Sequence, residues 1–188
     1  LLADLAGQSD QLLVVGAHLD SVSAGPGIND NGSGTALVLE LALQSAAMDW
    51  TPENTVRFAW WGAEESGLVG SYYYISELSE SEWGRHLANL NFDMVASPNG
   101  ERFVYDGDNS SSDGYPAPTG SDVIEDLFTD FLDEEGLDWR STAFDGRSDY
   151  GPFIWTGIPA GGLFTGAEST GSSGQTLDPC YHQDCDTT

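Results

Sequence analysis

Seven residues of the chain combine types and positions that suit metal chemistry: His18, Asp20, Asp30, Glu64, Glu65, Asp93 and His182. Imidazole and carboxylate are the donors that zinc and similar divalent ions take from proteins. His18 and Asp20 follow the apolar run 12–17 (LLVVGA), and Asp30 lies in the turn Gly27-Ile28-Asn29-Asp30-Asn31-Gly32, just before a helical pattern. Glu64 and Glu65 follow a second run, 55–61 (TVRFAWW); Asp93 follows the run ending in Asn91-Phe92, and His182 falls near the end of the chain. Singly, each has an ordinary reading as a hydrogen-bonded histidine or a solvated acid at a helix start. Jointly they point to metal, because strand ends of one sheet converge and so many convergent carboxylates repel one another without cations. His18, Asp30, Glu65, Asp93 and His182 are too many ligands for one tetrahedral zinc. They are enough for two ions that share a bridging carboxylate.

The elements that must position these residues follow from periodicity. Apolar runs bounded by Gly, Pro, Asn and Asp alternate with longer helical patterns, the signature of an α/β domain. Strands are expected at 12–17, 55–61, 87–92 and 158–164, with weaker runs at 102–105 and 139–143 and a strand-like opening at 1–5. Helices are expected at 33–48, 68–78 and 121–135. Ser33 is the expected N-cap of the first, with Leu37, Leu41 and Ala42 on one face; Val123, Leu127, Phe131 and Leu132 share a side of the third. Segments 109–120 and 169–175 read as loops. No repeat or linker divides the 188 residues, so they are read as one domain, 1–188. In such a domain the carboxyl ends of the strands are where ligands bind, and that is where His18, Glu64, Glu65 and Asp93 fall.

Charge excludes several functions. Thirty-one acidic residues oppose five arginines and no lysine, a formal charge of −26. So negative a surface repels phosphate backbones and anionic lipid, so nucleic-acid and membrane-surface partners are not expected. With 39% apolar and 11% aromatic residues the chain is expected to pack rather than stay disordered. The surplus of acid without lysine suggests a hydrated coat adapted to high salt. Cys180 and Cys185, with four residues between them, could close a small disulfide loop, the pattern of an oxidising compartment, or remain two reduced thiols.

Five spaced motifs resemble a known family. His18-Leu19-Asp20, the turn 27–34 (GINDNGSG), 60–65 (WWGAEE), 91–94 (NFDM) and 180–182 (CYH) occur in the order and context of the M28 family of dizinc peptidases, similar in particular to secreted Streptomyces aminopeptidases. The likeness runs over nearly the whole chain, including 146–149 (GRSD) and 161–166 (GGLFTG). It implies a zinc-dependent exopeptidase fold: a central mixed, mostly parallel sheet flanked by helices. It also implies elements before the first motif and a final helix that this chain does not carry. Where relatives read Ser-Asp-His, this chain reads Ser148-Asp149-Tyr150.

The resemblance also implies roles. Asp30 bridges two zinc ions; His18 and Asp93 complete one site, Glu65 and His182 the other. Asp20 orients His18, Glu64 is the general base, Tyr181 and Arg147 meet the substrate carbonyl or the tetrahedral intermediate, and Met94 and Phe164 wall an apolar pocket. It further implies a cis peptide between Asp30 and Asn31 and a disulfide between Cys180 and Cys185. The expected activity is release of an N-terminal, apolar residue from peptides with a free amine, in a secreted or extracellular protein. A carboxypeptidase of the same superfamily and a non-catalytic binding module are the alternatives. Calcium binding and oligomeric state are left open.

Overall fold

A computed structural model of the chain describes residues 1–111 and 113–187. Among these residues seven strands form one sheet: β1 (Leu2–Leu5), β2 (Ser9–His18), β3 (Asn54–Trp61), β4 (His86–Phe92), β5 (Phe103–Tyr105), β6 (Arg140–Thr142) and β7 (Ala160–Phe164). Their spatial order is β1-β3-β2-β4-β7-β5-β6. The central four run parallel, β1 lies antiparallel on β3, and β5 runs antiparallel to β7 and parallel to β6. This is the mixed, mostly parallel sheet expected from the sequence. Every expected strand is present, although the last begins at Ala160 rather than at residue 158.

Among the described residues five helices flank the sheet: α1 (Gly32–Ala47), α2 (Val69–Ser76), α3 (Glu80–Trp83), α4 (Ser121–Glu134) and α5 (Gly151–Trp155). On one face, Val15, Ala17 and Phe58 of the sheet bury Val38 of α1, with Phe128 of α4 packed against them. On the other, Val14, Ala59 and Trp61 bury Ile75 of α2 and Phe153 of α5. Burial on both faces explains why β2 reads as a continuous apolar run. The short α3 and α5 carry too few residues to show a period, and the sequence did not reveal them. Among the described residues, no helix is long and apolar enough to cross a membrane.

Three helical details differ from expectation. The N-cap of α1 is Asn31, whose side chain accepts the Gly34 N–H at 2.9 Å, whereas the Ser33 hydroxyl donates back to the Asn29 carbonyl. Leu41 is exposed, because Gly34 and Val38 define the face of α1 that meets the sheet. On α4, Ile124 and Leu132 are buried while Val123, Leu127 and Phe131 face outward. That helix carries two adjacent apolar stripes, and the sheet covers only one of them.

Candidate active site

The carboxyl end of β2 is flanked by β3 on one side and β4 on the other, because the chain crosses from β3 over β2 to reach β4. At such a reversal of strand order the loops splay apart and leave a crevice. His18 ends β2, the Glu64–Glu65 turn follows β3, and Asp93 follows β4. Side chains of the loops bind these ends together. The Thr35 hydroxyl donates to the His18 carbonyl at 2.6 Å, tying the start of α1 to β2. The Asp20 carboxylate accepts the Glu64 and Glu65 N–H groups at 3.0 and 3.2 Å, tying β2 to β3. Asn31 accepts the Met94 N–H at 3.2 Å and donates to the Phe92 carbonyl at 3.0 Å, tying the Asp30 turn to β4. The close approach needs Gly34, since a Cβ there would stand 2.2 Å from the Phe92 carbonyl oxygen. The peptide between Asp30 and Asn31 is cis.

Around this frame the anticipated side chains converge. His18 Nε2 lies 3.3 Å from Asp30 Oδ1 and 3.3 Å from Asp93 Oδ1. His182 Nε2 lies 3.1 Å from Asp30 Oδ2 and 3.1 Å from Glu65 Oε2. Two triads therefore result, His18–Asp30–Asp93 and Asp30–Glu65–His182, and Asp30 gives one oxygen to each. His18 Nδ1 meets the Asp20 main-chain carbonyl at 3.0 Å, with the Asp20 carboxylate at 3.8 Å. Asp20 thus reaches His18 through its backbone and the Glu64–Glu65 turn through its side chain. Ala63 just before the Glu64–Glu65 pair, Met94 just after Asp93, and His182 itself hold positive φ angles of 57°, 51° and 57° without being glycine. Such backbone costs about 1 to 3 kcal/mol per residue and clusters where function imposes it.

The electrostatics call for positive charge. Burial disfavours the His18 imidazolium, yet Asp30 and Asp93 outweigh burial and push its pKa up to about 12. Glu64 is pushed up to about 9, chiefly by burial, with His18 opposing and Asp93, Asp149 and Glu65 adding to the rise. Glu65 is also raised, first by burial and then by Asp30. Glu65 Oε1 and Asp93 Oδ1 are buried without a hydrogen-bond partner, a costly state that a cation relieves. Two clusters of imidazole and carboxylate with no thiolate fit divalent ions of the zinc type.

A cavity of about 440 Å³ opens over both triads, lined by Met94, Tyr105, Phe164 and Ala167 on its apolar side and by Arg147 and Tyr181 on its polar side. Arg147 donates to Glu168 at 3.0 Å and to the Tyr181 hydroxyl oxygen at 3.1 Å. Tyr181 stacks on His182 with ring centroids 3.9 Å apart. Burial, only partly offset by Arg147, raises the Tyr181 pKa to about 12, so its hydroxyl keeps its proton. Cys180 and Cys185 are joined in a disulfide, closing the loop that carries Tyr181 and His182.

Comparison with known proteins gives this arrangement a family. The model of peptidase family M28 matches residues 1–188. The chain belongs to peptidase family M28. It is 49% identical over 190 residues to an aminopeptidase of Pseudomonas aeruginosa, covering 96% of this chain and 35% of that protein. It is 46% identical to leucine aminopeptidase 2 of Trichophyton rubrum, covering 96% of this chain and 38% of that one. Among solved structures it is similar to the zinc aminopeptidase of Bacillus subtilis, with a TM-score of 0.80 and 30% identity over 99% of this chain and 43% of that one. This M28 chain thus spans little more than a third of the length of the curated relatives it matches.

Other residues of the M28 site drew no role from the sequence. The Ser148 hydroxyl donates to Asp93 Oδ2 at 2.5 Å and itself accepts from Asn91 at 2.8 Å. Its motif was visible, but only the fold brings it to Asp93. Tyr150 accepts the Gly146 N–H at 3.0 Å and donates to Asp145 at 2.7 Å, bracing the turn that carries Arg147. A third acidic cluster, Asp106, Asp108 and Glu125, lies apart from the site. There Asp106 accepts N–H and hydroxyl groups of Ser110 and Ser111, and Glu125 accepts the N–H groups of Gly107 and Asp108.

Proposed function

We propose that the chain is the catalytic part, 1–188, of a secreted, two-zinc aminopeptidase that removes apolar residues from the free amino end of peptides. The observation that carries this reading is the division of Asp30, one oxygen facing His18 and the other His182. Asp30 would be the shared ligand, with His18 and Asp93 holding one ion and Glu65 and His182 the other. Bound there, zinc supplies Lewis acidity that activates water and stabilises negative charge on a carbonyl oxygen.

The remaining work falls to side chains. Glu64, outside both triads with Oε2 4.0 Å from His18 Nε2, takes a proton from the attacking water and returns it to the leaving amine. Its burial raises its pKa above the useful range, and positive charge beside it brings that value back toward neutrality. Arg147 donates to the Tyr181 oxygen, which leaves the Tyr181 O–H free to donate to the substrate carbonyl as charge builds there. Met94 and Phe164 receive the first side chain, and the substrate amine lies near Glu64 and Asp93. A carboxypeptidase would need a free cation for the substrate carboxylate, whereas Arg147 is already paired with Glu168. The Cys180–Cys185 disulfide suits an oxidising, extracellular setting.

The test is hydrolysis of leucine p-nitroanilide against an N-acetylated dipeptide, together with elemental analysis. Two equivalents of zinc, cleavage of the first substrate alone, and loss of activity on chelation are expected. Cleavage of only the blocked dipeptide would turn the reading to a carboxypeptidase, and no metal and no cleavage to a binding module. The acidic surface should also raise the melting temperature between low and molar salt.

A further inference from the structure

A second pair of buried carboxylates, Asp178 and Asp186, stands behind the site and takes no part in the mechanism above. Asp186 is 5% exposed, and both of its oxygens are engaged. Oδ1 accepts the main-chain N–H of Asn29 at 2.7 Å, and Oδ2 accepts that of Asp30 at 3.0 Å. Its carbonyl accepts the Ile28 N–H at 3.3 Å. Asp178, 2% exposed, accepts the Asn29 side-chain amide at 2.6 Å and the Cys180 N–H at 2.8 Å.

These bonds join two parts of the chain 156 residues apart, and each part carries one member of the second triad. Asp186 directly follows the disulfide loop 180–185 that presents His182, and its partners are the N–H of Asp30 and the residue before it. The Asp30 N–H is bonded to the Cα from which the bridging carboxylate springs. Holding it fixes the direction in which that carboxylate leaves the backbone, and with it the 3.1 Å separation of Asp30 Oδ2 from His182 Nε2. A carboxylate buried beside an already anionic centre is an expensive choice for a merely structural clamp. Its chemistry is specific, because each N–H meets its own carboxylate oxygen, and an amide in the same place would set an NH2 donor against one of them.

We propose that Asp186 is a positioning residue for the metal centre, one that sets the Asp30–His182 geometry by gripping the Asn29 and Asp30 amides. The inference rests on the metal-peptidase reading above. Asp186→Asn leaves size and shape unchanged while turning one acceptor into a donor aimed at an N–H.

The experiment compares wild type and D186N by zinc transfer to a chromophoric chelator, by the visible spectrum of the cobalt-substituted protein, and by kcat and KM. One zinc of the two should be held about tenfold or more weakly in D186N. The cobalt bands should shift, and kcat should fall while KM changes little. A folded D186N with wild-type zinc affinity and cobalt spectrum would overturn the inference, whatever its melting temperature. If D186N does not fold, hydrogen exchange at the Asn29 and Asp30 amides of the wild-type protein decides. Slow exchange at both supports the grip, and exchange at the rate of an open loop overturns it. A wild type that binds no metal would remove the metal reading and this inference together; two bound ions with an unchanged D186N would remove this inference alone.

Discussion

The carboxylate of Asp20 accepts the main-chain N–H of Glu64 at 3.0 Å, so the last residue of the first motif holds the backbone of the proposed base. The same carboxylate holds the next N–H, that of Glu65, at 3.2 Å. Adjacent glutamates can therefore point to different tasks from one fixed turn. Replacing Glu64 by Gln keeps the turn and both triads but removes the proton acceptor. Zinc content should stay at the wild-type level while kcat falls by about 10² to 10⁴. Asp20→Ala should instead lower kcat by about 10 to 100-fold and weaken metal retention, because it frees the turn. Elemental analysis beside steady-state kinetics separates the two variants.

Tyr150 tests the bracing of Arg147. Its hydroxyl donates to Asp145 Oδ1, which also accepts the Arg147 N–H at 3.0 Å. Tyr150→Phe deletes that hydroxyl and strands the Gly146 N–H, at a cost of about 1 to 3 kcal/mol. The Arg147 turn should loosen, raising KM by up to about tenfold with less change in kcat. An unchanged KM would detach Tyr150 from substrate binding.

The disulfide should matter more to metal than to folding. Its loop is short, so replacing both cysteines by serine should cost about 2 kcal/mol of stability at most. His182 and Tyr181 lie inside the loop, so the ion assigned to Asp30, Glu65 and His182 should leave first in a staged chelation. Release of both ions at wild-type rates would show that the loop holds its shape unaided.

His86 links pH to stability far from the metal triads. Nδ1 lies 2.8 Å from the Glu82 carbonyl and must donate, so Nε2 accepts the Tyr74 hydroxyl at 2.6 Å. Burial lowers its pKa, the Glu82 carbonyl opposes this, and Arg57 and Arg85 lower it further. As pH falls below the free value of about 6.5, the unfolded chain takes up the proton first. The stability contributed by neutral His86 is therefore full above that pH and is lost as pH falls toward the depressed folded value. Melting temperatures between pH 7.5 and about 5.5 should decline in the wild type and decline less in His86→Gln.

What the sequence made legible follows from burial. Strands β2, β3 and β4 are buried on both faces, so their apolar runs stood out, and the polar residues at their ends marked the crevice. The face of α4 was not legible, because Val123, Leu127 and Phe131 repeat at the same spacing as the stripe beside them that the sheet covers. Asp186 was equally hidden. Nothing in its neighbourhood separates it from the many surface acids of a chain with charge −26, and only the folded path brings it under Asn29 and Asp30.

The span of the site along the chain has a consequence for biosynthesis. Its first residue is His18, while His182 and Asp186 come 164 and 168 positions later. A ribosome must therefore emit almost all of these residues before the second triad can close. During translation the chain can bring together at most the His18–Asp30–Asp93 half, so under the function proposed above the site cannot be completed, or act, before residue 182 has been made.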